Sequence, residues 1–204
     1  MIRDLDIHRF EYIWHLYNTN KSDKDLPFNE HKQCDPAVWQ FPQDLIDYHH
    51  KIFEIGNKSL QGKTVLDLGC GTAWYLGCLE NVVEKYIGID ADAKNIEYAK
   101  IMSNIVDVDS DIYSDKIENV KHKADTIMML SVTHEMQLVE NIFDDFDCDN
   151  IILDSWEKLN GVHLNELVKI IESKGFYIEQ KHECFKPRDS LGNRYILHFH
   201  RPVC

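Results

Sequence analysis

The sequence predicts an α/β fold with a doubly wound, mostly parallel seven-stranded sheet, an antiparallel last strand and an N-terminal helical extension. An apolar segment runs directly into a glycine turn at Lys63-Thr64-Val65-Leu66-Asp67-Leu68-Gly69-Cys70-Gly71-Thr72. This is the pattern of a buried strand that is followed by a turn and a helix. Beyond it, short apolar segments alternate with helical patterns as far as His200. Such alternation is typical of a parallel sheet built from strand–helix–strand units.

The composition predicts one folded domain that needs no disulfide bonds. A chain of 204 residues can bury a substantial core. Lys and Arg number 22 against 35 Asp and Glu, and the net charge of −13 would repel duplex nucleic acid. The six cysteines form neither a C-x-x-C motif nor a metal-like cluster, which predicts reduced thiols, a cytoplasmic protein and no bound metal.

The first 59 residues are predicted to form a helical extension or lid that belongs to the same domain. Apolar residues recur at helical spacing in 5–17 and again in 36–53, which favours two helices, the second leading to Gly56. The polar stretch 18–35 between them is interpreted as a loop, either a lid or a solvated connection. The segment at the N-terminus has acids and no continuous apolar core, and no run reaches membrane-spanning length. We therefore expect neither a signal peptide nor a membrane span.

The glycine turn after the first strand is the strongest candidate for a ligand site. Gly69 and Gly71 lack the Cβ that would oppose a positive φ and a close approach to a ligand. The carboxylate of Asp67 just before them would repel a phosphate and attract an ammonium group. The turn is therefore expected to bind a ligand with a positive charge, the alternative being a strand–helix corner that binds nothing.

A second strand, Tyr86-Ile87-Gly88-Ile89-Asp90, ends in an acid about 20 residues after the turn. An acid at this place can accept hydrogen bonds from both hydroxyls of a ribose. Trp74 stands where a dinucleotide-binding fingerprint has its third glycine, and this departure counts against NAD.

These two segments closely resemble the first two motifs of class I S-adenosylmethionine-dependent methyltransferases. The resemblance implies a Rossmann-like domain over residues 60–204 that binds S-adenosylmethionine and releases S-adenosylhomocysteine. In this family Asp67 and the glycines would hold the methionine end and Asp90 the ribose. The predicted cofactor-binding residues are Asp67, Gly69, Cys70, Gly71, Asp90, Ala91, Asp111, Ile112 and Leu130.

The rest of the chain predicts the remaining elements of such a sheet. In order, they are a helix from Asp92 to Met102, strands over 105–111 and 125–130, a helix over 133–146, a strand over 151–154, a helix over 163–174 ended by Gly175, and strands over 176–183 and 195–200. The last two strands resemble the antiparallel ending of the same methyltransferases.

The acidic run 107–118 has two interpretations. Its acids match ligand positions of a calcium loop, but Ile112 stands where that loop requires glycine for its sharp turn. The better interpretation is a third strand whose terminal acid faces an adenine amino group. By analogy with the family, that acid is Asp111, with Ile112 against the ring and Asp109 as the alternative.

The residues after the fourth strand, Leu130-Ser131-Val132-Thr133-His134-Glu135-Met136, are the predicted catalytic segment. The Asn/Asp-Pro-Pro-aromatic motif of enzymes that methylate base amines is missing from this string. The string resembles the small-molecule branch of the family and some tRNA wobble-base enzymes. His134, with Glu135 beside it, could take a proton from an acceptor, or His134 could be a structural histidine. Trp39, Tyr48 and Trp156 are candidates for the acceptor pocket.

The predicted function is methyl transfer from S-adenosylmethionine to an O or N atom of a small molecule. Three alternatives stay open: a tRNA or protein acceptor, aminopropyl transfer on the same fold, and a non-catalytic partner subunit that binds the cofactor. The sequence predicts no oligomeric state.

Overall fold

The computed structural model describes residues 51–52, 54–56, 58–130, 142–144, 147–156, 158–159, 162–188 and 192–202. Within these residues the main strands are β1 (Thr64–Leu68), β2 (Lys85–Asp90), β3 (Asp109–Ser114), β4 (Thr126–Met129), β5 (Asn150–Trp156), β8 (Tyr177–Arg188) and β9 (Gly192–His200). A short antiparallel pair, β6 (Lys158–Leu159) and β7 (Val162–His163), lies between β5 and β8 in the chain.

The described strands form a seven-stranded sheet in the order β3-β2-β1-β4-β5-β9-β8. Strands β1 to β5 are parallel to one another. The last strand, β9, runs antiparallel to β5 on one side and to β8 on the other. The predicted fold class is therefore confirmed, including the antiparallel last strand.

Helices cover the sheet between the strands. Residues 51–60 are helical at every described position and form α1; the others are α2 (Trp74–Leu79), α3 (Ala93–Ile105) and α4 (Leu164–Ser173). Asp92 caps α3 as predicted, because its carboxylate accepts a hydrogen bond from the backbone N–H of Lys94 at 2.9 Å. None of the described helices is long and apolar enough to cross a membrane.

The core lies on both faces of the sheet because side chains alternate along each strand. Val65, Tyr86 and Met128 pack with α1, α2 and α3 on one face. Leu66, Ile87 and Ile127 pack with α4 on the other. Asp67 has the same parity as Val65, so its side chain lies on the face that α2 covers.

Two predicted boundaries are wrong. The third strand begins at Asp109 and not at residue 105, since α3 continues to Ile105. Residues 58–60 are also helical, so helical structure is present beyond Gly56, to which the predicted helix led. A Cβ on Gly56 would lie 2.5 Å from Cδ1 of Ile152, so this glycine permits close packing of α1 on β5.

Several predicted elements fall partly or wholly outside the described residues. The helices and loop predicted between residues 5 and 50 lie outside them. Of the helix predicted over 133–146, the structure describes 142–144, which form a 3₁₀ turn. Strands β8 and β9 extend toward each other beyond their predicted ends, so the predicted connection over 187–193 is shorter.

Candidate active site

The carboxyl ends of β1 to β5 meet at one edge of the sheet, and the predicted cofactor residues lie mostly along it. Leu68 of β1 pairs with Ile89 of β2, and Asp90 pairs with Ser114 of β3. The glycine turn, Asp90 and the end of β3 are therefore neighbours. In open α/β sheets this edge is where ligands bind.

Main-chain hydrogen bonds fix the glycine turn to β2. Gly69 and Gly71 adopt positive φ values of 73° and 55°, as the sequence predicted for this corner. The backbone N–H groups of Gly69 and Cys70 donate to the carbonyl of Ile89 at 2.8 and 2.9 Å. A Cβ on Gly71 would meet no described atom within 4 Å, so the turn leaves open space for a ligand.

Asp90 connects this turn to the start of α3. Its Oδ2 accepts a hydrogen bond from the Gly71 N–H at 2.9 Å, and its Oδ1 accepts one from the Asp92 N–H at 2.8 Å. The side-chain amide of Asn95 also donates to Oδ1, at 3.3 Å. Sequence reasoning missed Asn95. The exposed Ala91 follows, and its carbonyl accepts a hydrogen bond from Ser114 Oγ at 3.4 Å.

Asp67 lies beneath the turn and is buried. Its side chain is 2% exposed, and the hydroxyl of Tyr86 donates to its Oδ2 at 2.6 Å. Burial raises the pKa of Asp67 to about 7; the Tyr86 hydrogen bond lowers this pKa, and the negative charge of Asp90 raises it. This pKa is far above that of a solvent-exposed aspartate, so the burial of Asp67 favours its protonated form. Cys70 is also buried, and burial raises the pKa of its thiol well above the usual range.

The prediction that Asp111 is the terminal acid of β3 is wrong. Asp111 pairs with Ile87 in the middle of the strand, and its carboxylate lies 2.6 Å from Lys85 Nζ. Ile112 packs against the core on the face of the sheet. The alternative, Asp109, lies still further from the carboxyl edge, 3.8 Å from Lys85 Nζ. The predicted boundary is wrong because Ile105 is the last residue of α3 and Val106 is its C-cap.

Asp115 is the acid that follows β3 at the carboxyl edge. Its backbone N–H donates to the carbonyl of Asp90 at 3.1 Å. Its carboxylate accepts hydrogen bonds from Asn119 Nδ2 at 2.8 Å and from the Lys116 N–H at 2.7 Å. These two donors, Asn119 foremost, hold the pKa of Asp115 below its usual range. Asp115 is therefore an ionised acid just beyond β3, and its backbone is joined to that of Asp90.

A buried ion pair lies at the same edge on β5 and β9. Leu130 follows β4 and is 5% exposed; because Met129 pairs with Leu153, Leu130 is level with Asp154. Asp154 is 1% exposed and forms a salt bridge with Arg194. Tyr75 of α2 is close enough to both residues to interact with their charges. Burial is the main cause that raises the pKa of Tyr75; the charge of Asp154 raises this pKa further, and the charge of Arg194 lowers it. The sequence did not reveal this pair, because its members are far apart in the chain.

Most of the predicted catalytic and pocket residues lie outside the part of the chain that the structure describes. His134 and Glu135 lie in the segment 131–141, and Trp39 and Tyr48 lie in 1–50, all outside the described residues. Trp156 is described for its backbone, at the end of β5. Among the described residues, no group of three or more His, Cys, Asp or Glu side chains is arranged to hold a metal ion.

The open glycine turn and the acids at the edge suit S-adenosylmethionine, which combines a cationic methionine end with an adenosine. A sheet of this topology with that turn defines a class I S-adenosylmethionine-dependent methyltransferase. A family model described as a methyltransferase domain matches residues 37–190. The chain belongs to this methyltransferase family, and S-adenosylmethionine is its cofactor.

Solved structures with the same fold include several methyltransferases. Magnesium protoporphyrin IX methyltransferase (ChlM) of Synechocystis PCC 6803, with bound S-adenosylhomocysteine, has 16% identity and a TM-score of 0.63 over 81% of this chain and 90% of that one. The N-methyltransferase NodS of Bradyrhizobium japonicum has 11% identity and a TM-score of 0.65 over 79% and 98%. A candidate RNA methyltransferase of Pyrococcus horikoshii has 14% identity and a TM-score of 0.62 over 77% and 84%. Comparison with curated protein sequences gives no significant match.

Proposed function

We propose that this methyltransferase moves the methyl group of S-adenosylmethionine to an O or N atom of a small neutral or cationic acceptor. The observation that carries the proposal is the acidic carboxyl edge of the sheet. Asp90 ends β2, Asp92 and Asp115 lie in the described loops that follow β2 and β3, and Asp67 lies beneath the turn.

Cations at the same edge do not reverse this charge. Lys94 and Lys116 are exposed in the same loops, and Arg194 is bound to Asp154. With a net charge of −13 for the whole chain, an RNA backbone would approach against a repulsive field. The structural neighbours include a magnesium protoporphyrin methyltransferase and a candidate RNA methyltransferase, so structural likeness alone favours neither acceptor class.

Three acids would each bind a different part of the cofactor. Asp67, beneath the glycine turn, would face the α-ammonium of the methionine end. Asp90 would accept hydrogen bonds from the ribose, with the Gly71 N–H on its other side. We assign the adenine amino group to Asp115, which takes the role predicted for Asp111, because Asp115 is at the edge and Asp111 is bound to Lys85.

The chain's task in the reaction is to align the acceptor. The cofactor, when bound, supplies a methyl group that is already activated by a sulfonium. Holding an acceptor atom in line about 3–3.5 Å away can then remove much of the barrier. His134, after β4, would accept the acceptor's proton where the acceptor must lose one, and Glu135 would orient it.

The test is release of S-adenosylhomocysteine by the full-length protein over an acceptor panel. The panel holds small amines, phenols, carboxylic acids, total tRNA and unmodified peptides, with Asp90→Ala as the inactive control. Turnover confined to neutral or cationic small molecules supports the proposal. Turnover on tRNA or peptide would overturn it, and cofactor binding without turnover on any fraction would favour a non-catalytic partner subunit.

A further inference from the structure

The side chain of Tyr86 crosses the face of β2 to reach Asp67 on the neighbouring strand. Its hydroxyl donates to Asp67 Oδ2 at 2.6 Å, and the two side chains are 0% and 2% exposed. Asp67 pairs with Gly88, which lies two residues beyond Tyr86 on the same face of β2. The tyrosine ring therefore extends diagonally over Gly88 to the buried carboxylate.

Gly88 provides the space for this ring. A Cβ built on Gly88 would lie 2.8 Å from Cε1 of Tyr86 and 3.1 Å from Sγ of Cys70. Gly88 is not among the described glycines with positive φ, so the backbone does not require glycine here. The absence of a side chain at residue 88 is instead what allows Tyr86 and Cys70 to close over the carboxylate.

We propose that Tyr86 is a positioning residue that keeps Asp67 ionised for the α-ammonium of S-adenosylmethionine, and thereby sets the pH range in which the cofactor binds. The inference rests on the proposed function, in which Asp67 faces the methionine end. It goes further by giving a role to a tyrosine that touches neither acceptor nor reacting atoms.

The charges around Asp67 give the direction of the effect. Burial raises its pKa to about 7, Tyr86 lowers that pKa through its hydrogen bond, and Asp90 raises it. Removing the hydroxyl would therefore raise the pKa of Asp67 further. Cys70 and Tyr75 also face this acid, but burial raises the pKa values of both well above their usual range, so they stay neutral at pH 7. Two charges on neighbouring strands also affect the pKa of Tyr75: Asp154 on β5 raises it, and Arg194 on β9 lowers it.

Binding should depend on pH with a definite sign. Below about pH 7 the carboxyl group of Asp67 is mostly protonated in the free protein. A cationic ligand favours the ionised form, so this proton must leave when the cofactor binds. The affinity should then rise by up to about tenfold per pH unit until about pH 7. Above about pH 8 the amino group of the ligand itself loses its proton.

The experiment measures the Kd of S-adenosylmethionine by calorimetry between about pH 5.5 and pH 8 for the wild-type protein and Tyr86→Phe. We expect the rise in affinity to move up by about one pH unit in the variant, with roughly fivefold weaker binding at pH 7 and roughly tenfold weaker binding below about pH 6. Gly88→Ala keeps the hydroxyl but displaces the ring, and it should show the same shift. The buried Tyr98 of α3 gives the matched control Tyr98→Phe, which should not shift.

A second ligand separates positioning from structural damage. 5′-Methylthioadenosine lacks the ammonium group, so its affinity should be the same in wild type and Tyr86→Phe at every pH. Equal weakening of both ligands at every pH would overturn the inference. Asp67→Asn distinguishes it from the proposed function. If Asp67→Asn binds S-adenosylmethionine as tightly as the wild type does, the assignment of Asp67 to the methionine end is wrong. If Asp67→Asn binds it more weakly but Tyr86→Phe leaves the pH profile of binding unchanged, only the proposed role of Tyr86 is wrong.

Discussion

The carboxylate of Asp90 accepts a hydrogen bond from the backbone N–H of Gly71, with 2.9 Å between Oδ2 and the nitrogen. The acid at the end of β2 thus fixes the turn that follows β1. This hydrogen bond directly connects the predicted ribose site at Asp90 with the predicted methionine site at the glycine turn. Two other donors, Asp92 N–H and Asn95, occupy Oδ1. A ribose that binds as proposed would meet a carboxylate whose orientation is already fixed.

Replacing Asp90 with alanine should strongly weaken the binding of S-adenosylmethionine. The variant loses the ribose contacts, and each hydrogen bond to a charged group contributes roughly 1.5–3 kcal/mol. We expect the Kd, measured by calorimetry, to rise about 100-fold or more in a protein that is still folded. Asn95→Ala leaves the carboxylate in place and should change the Kd by only a few-fold. Unchanged affinity in folded Asp90→Ala would remove the ribose assignment.

Gly71 and Gly62 form a matched pair for testing the glycine turn. Both have positive φ, 55° and 66°, and a Cβ on either would meet no described atom within 4 Å. Alanine at each should therefore cost a similar 1–2 kcal/mol or so of unfolding free energy. Gly71→Ala should in addition weaken S-adenosylmethionine at least about tenfold, since its methyl group would enter the ligand space. Equal cofactor affinities in the two variants would contradict this position for the ligand.

The sequence predicted the parts of the fold and site that depend on local pattern. The buried strand before Gly69, the acid that ends β2 and the cap at Asp92 are each visible within a few residues, and the structure has all of them. Their neighbours in the sheet followed from the alternation of strands and helices.

What the sequence did not reveal depends on pairing between distant segments. Tyr86 reaches Asp67 because β1 and β2 align in one register, and Asp154 meets Arg194 because β9 inserts beside β5. The spacing Tyr-x-Gly on β2 was the available signal for the first contact. The third strand was misplaced because Val106 and Val108 alternate like strand residues, although the helix before them continues to Ile105.

Asp115 and Asp111 test which acid of the third strand serves the adenine. Asp115→Ala should raise the Kd of S-adenosylmethionine about tenfold, because one hydrogen bond to a charged acceptor is lost. Asp111→Ala removes an exposed acid that is bound to Lys85, and it should leave the Kd unchanged. Asn119→Ala controls for loosening of the loop around Asp115. The opposite ranking of the first two variants would restore the assignment to Asp111.

Asp67→Asn should stabilise the cofactor-free protein and at the same time lower its affinity for the cofactor. The folded-state pKa of about 7 lies well above the ordinary value of about 3.8 for an aspartate, so the folded protein binds the proton more tightly than the unfolded chain. The contribution of Asp67 to stability is then full below pH 4 or so and is lost as the pH rises to about 7. Thermal unfolding at pH 8 should favour the variant by roughly 2–4 kcal/mol, and the difference should shrink toward pH 5. A difference that does not change with pH would contradict the raised pKa.

His134 provides the test of acid–base chemistry. If it accepts the proton of the acceptor, His134→Asn should keep the affinity for S-adenosylmethionine and lower turnover by roughly 10²–10⁴-fold, the usual share of general-base catalysis. The loss should shrink as the pH rises, because a hydroxyl or ammonium acceptor then ionises in solution and no longer needs the imidazole. The measurement is kcat against pH on the acceptor that the panel identifies.

His182 on β8 gives the control variant His182→Asn, which should leave both kcat and its pH profile unchanged. A structural His134 would behave differently from a base, since its loss would lower stability or cofactor affinity at every pH. Turnover of His134→Asn within a few-fold of wild type would exclude a base at this position. The acceptor would then be one that needs no base, such as a neutral amine, and catalysis would depend on alignment alone.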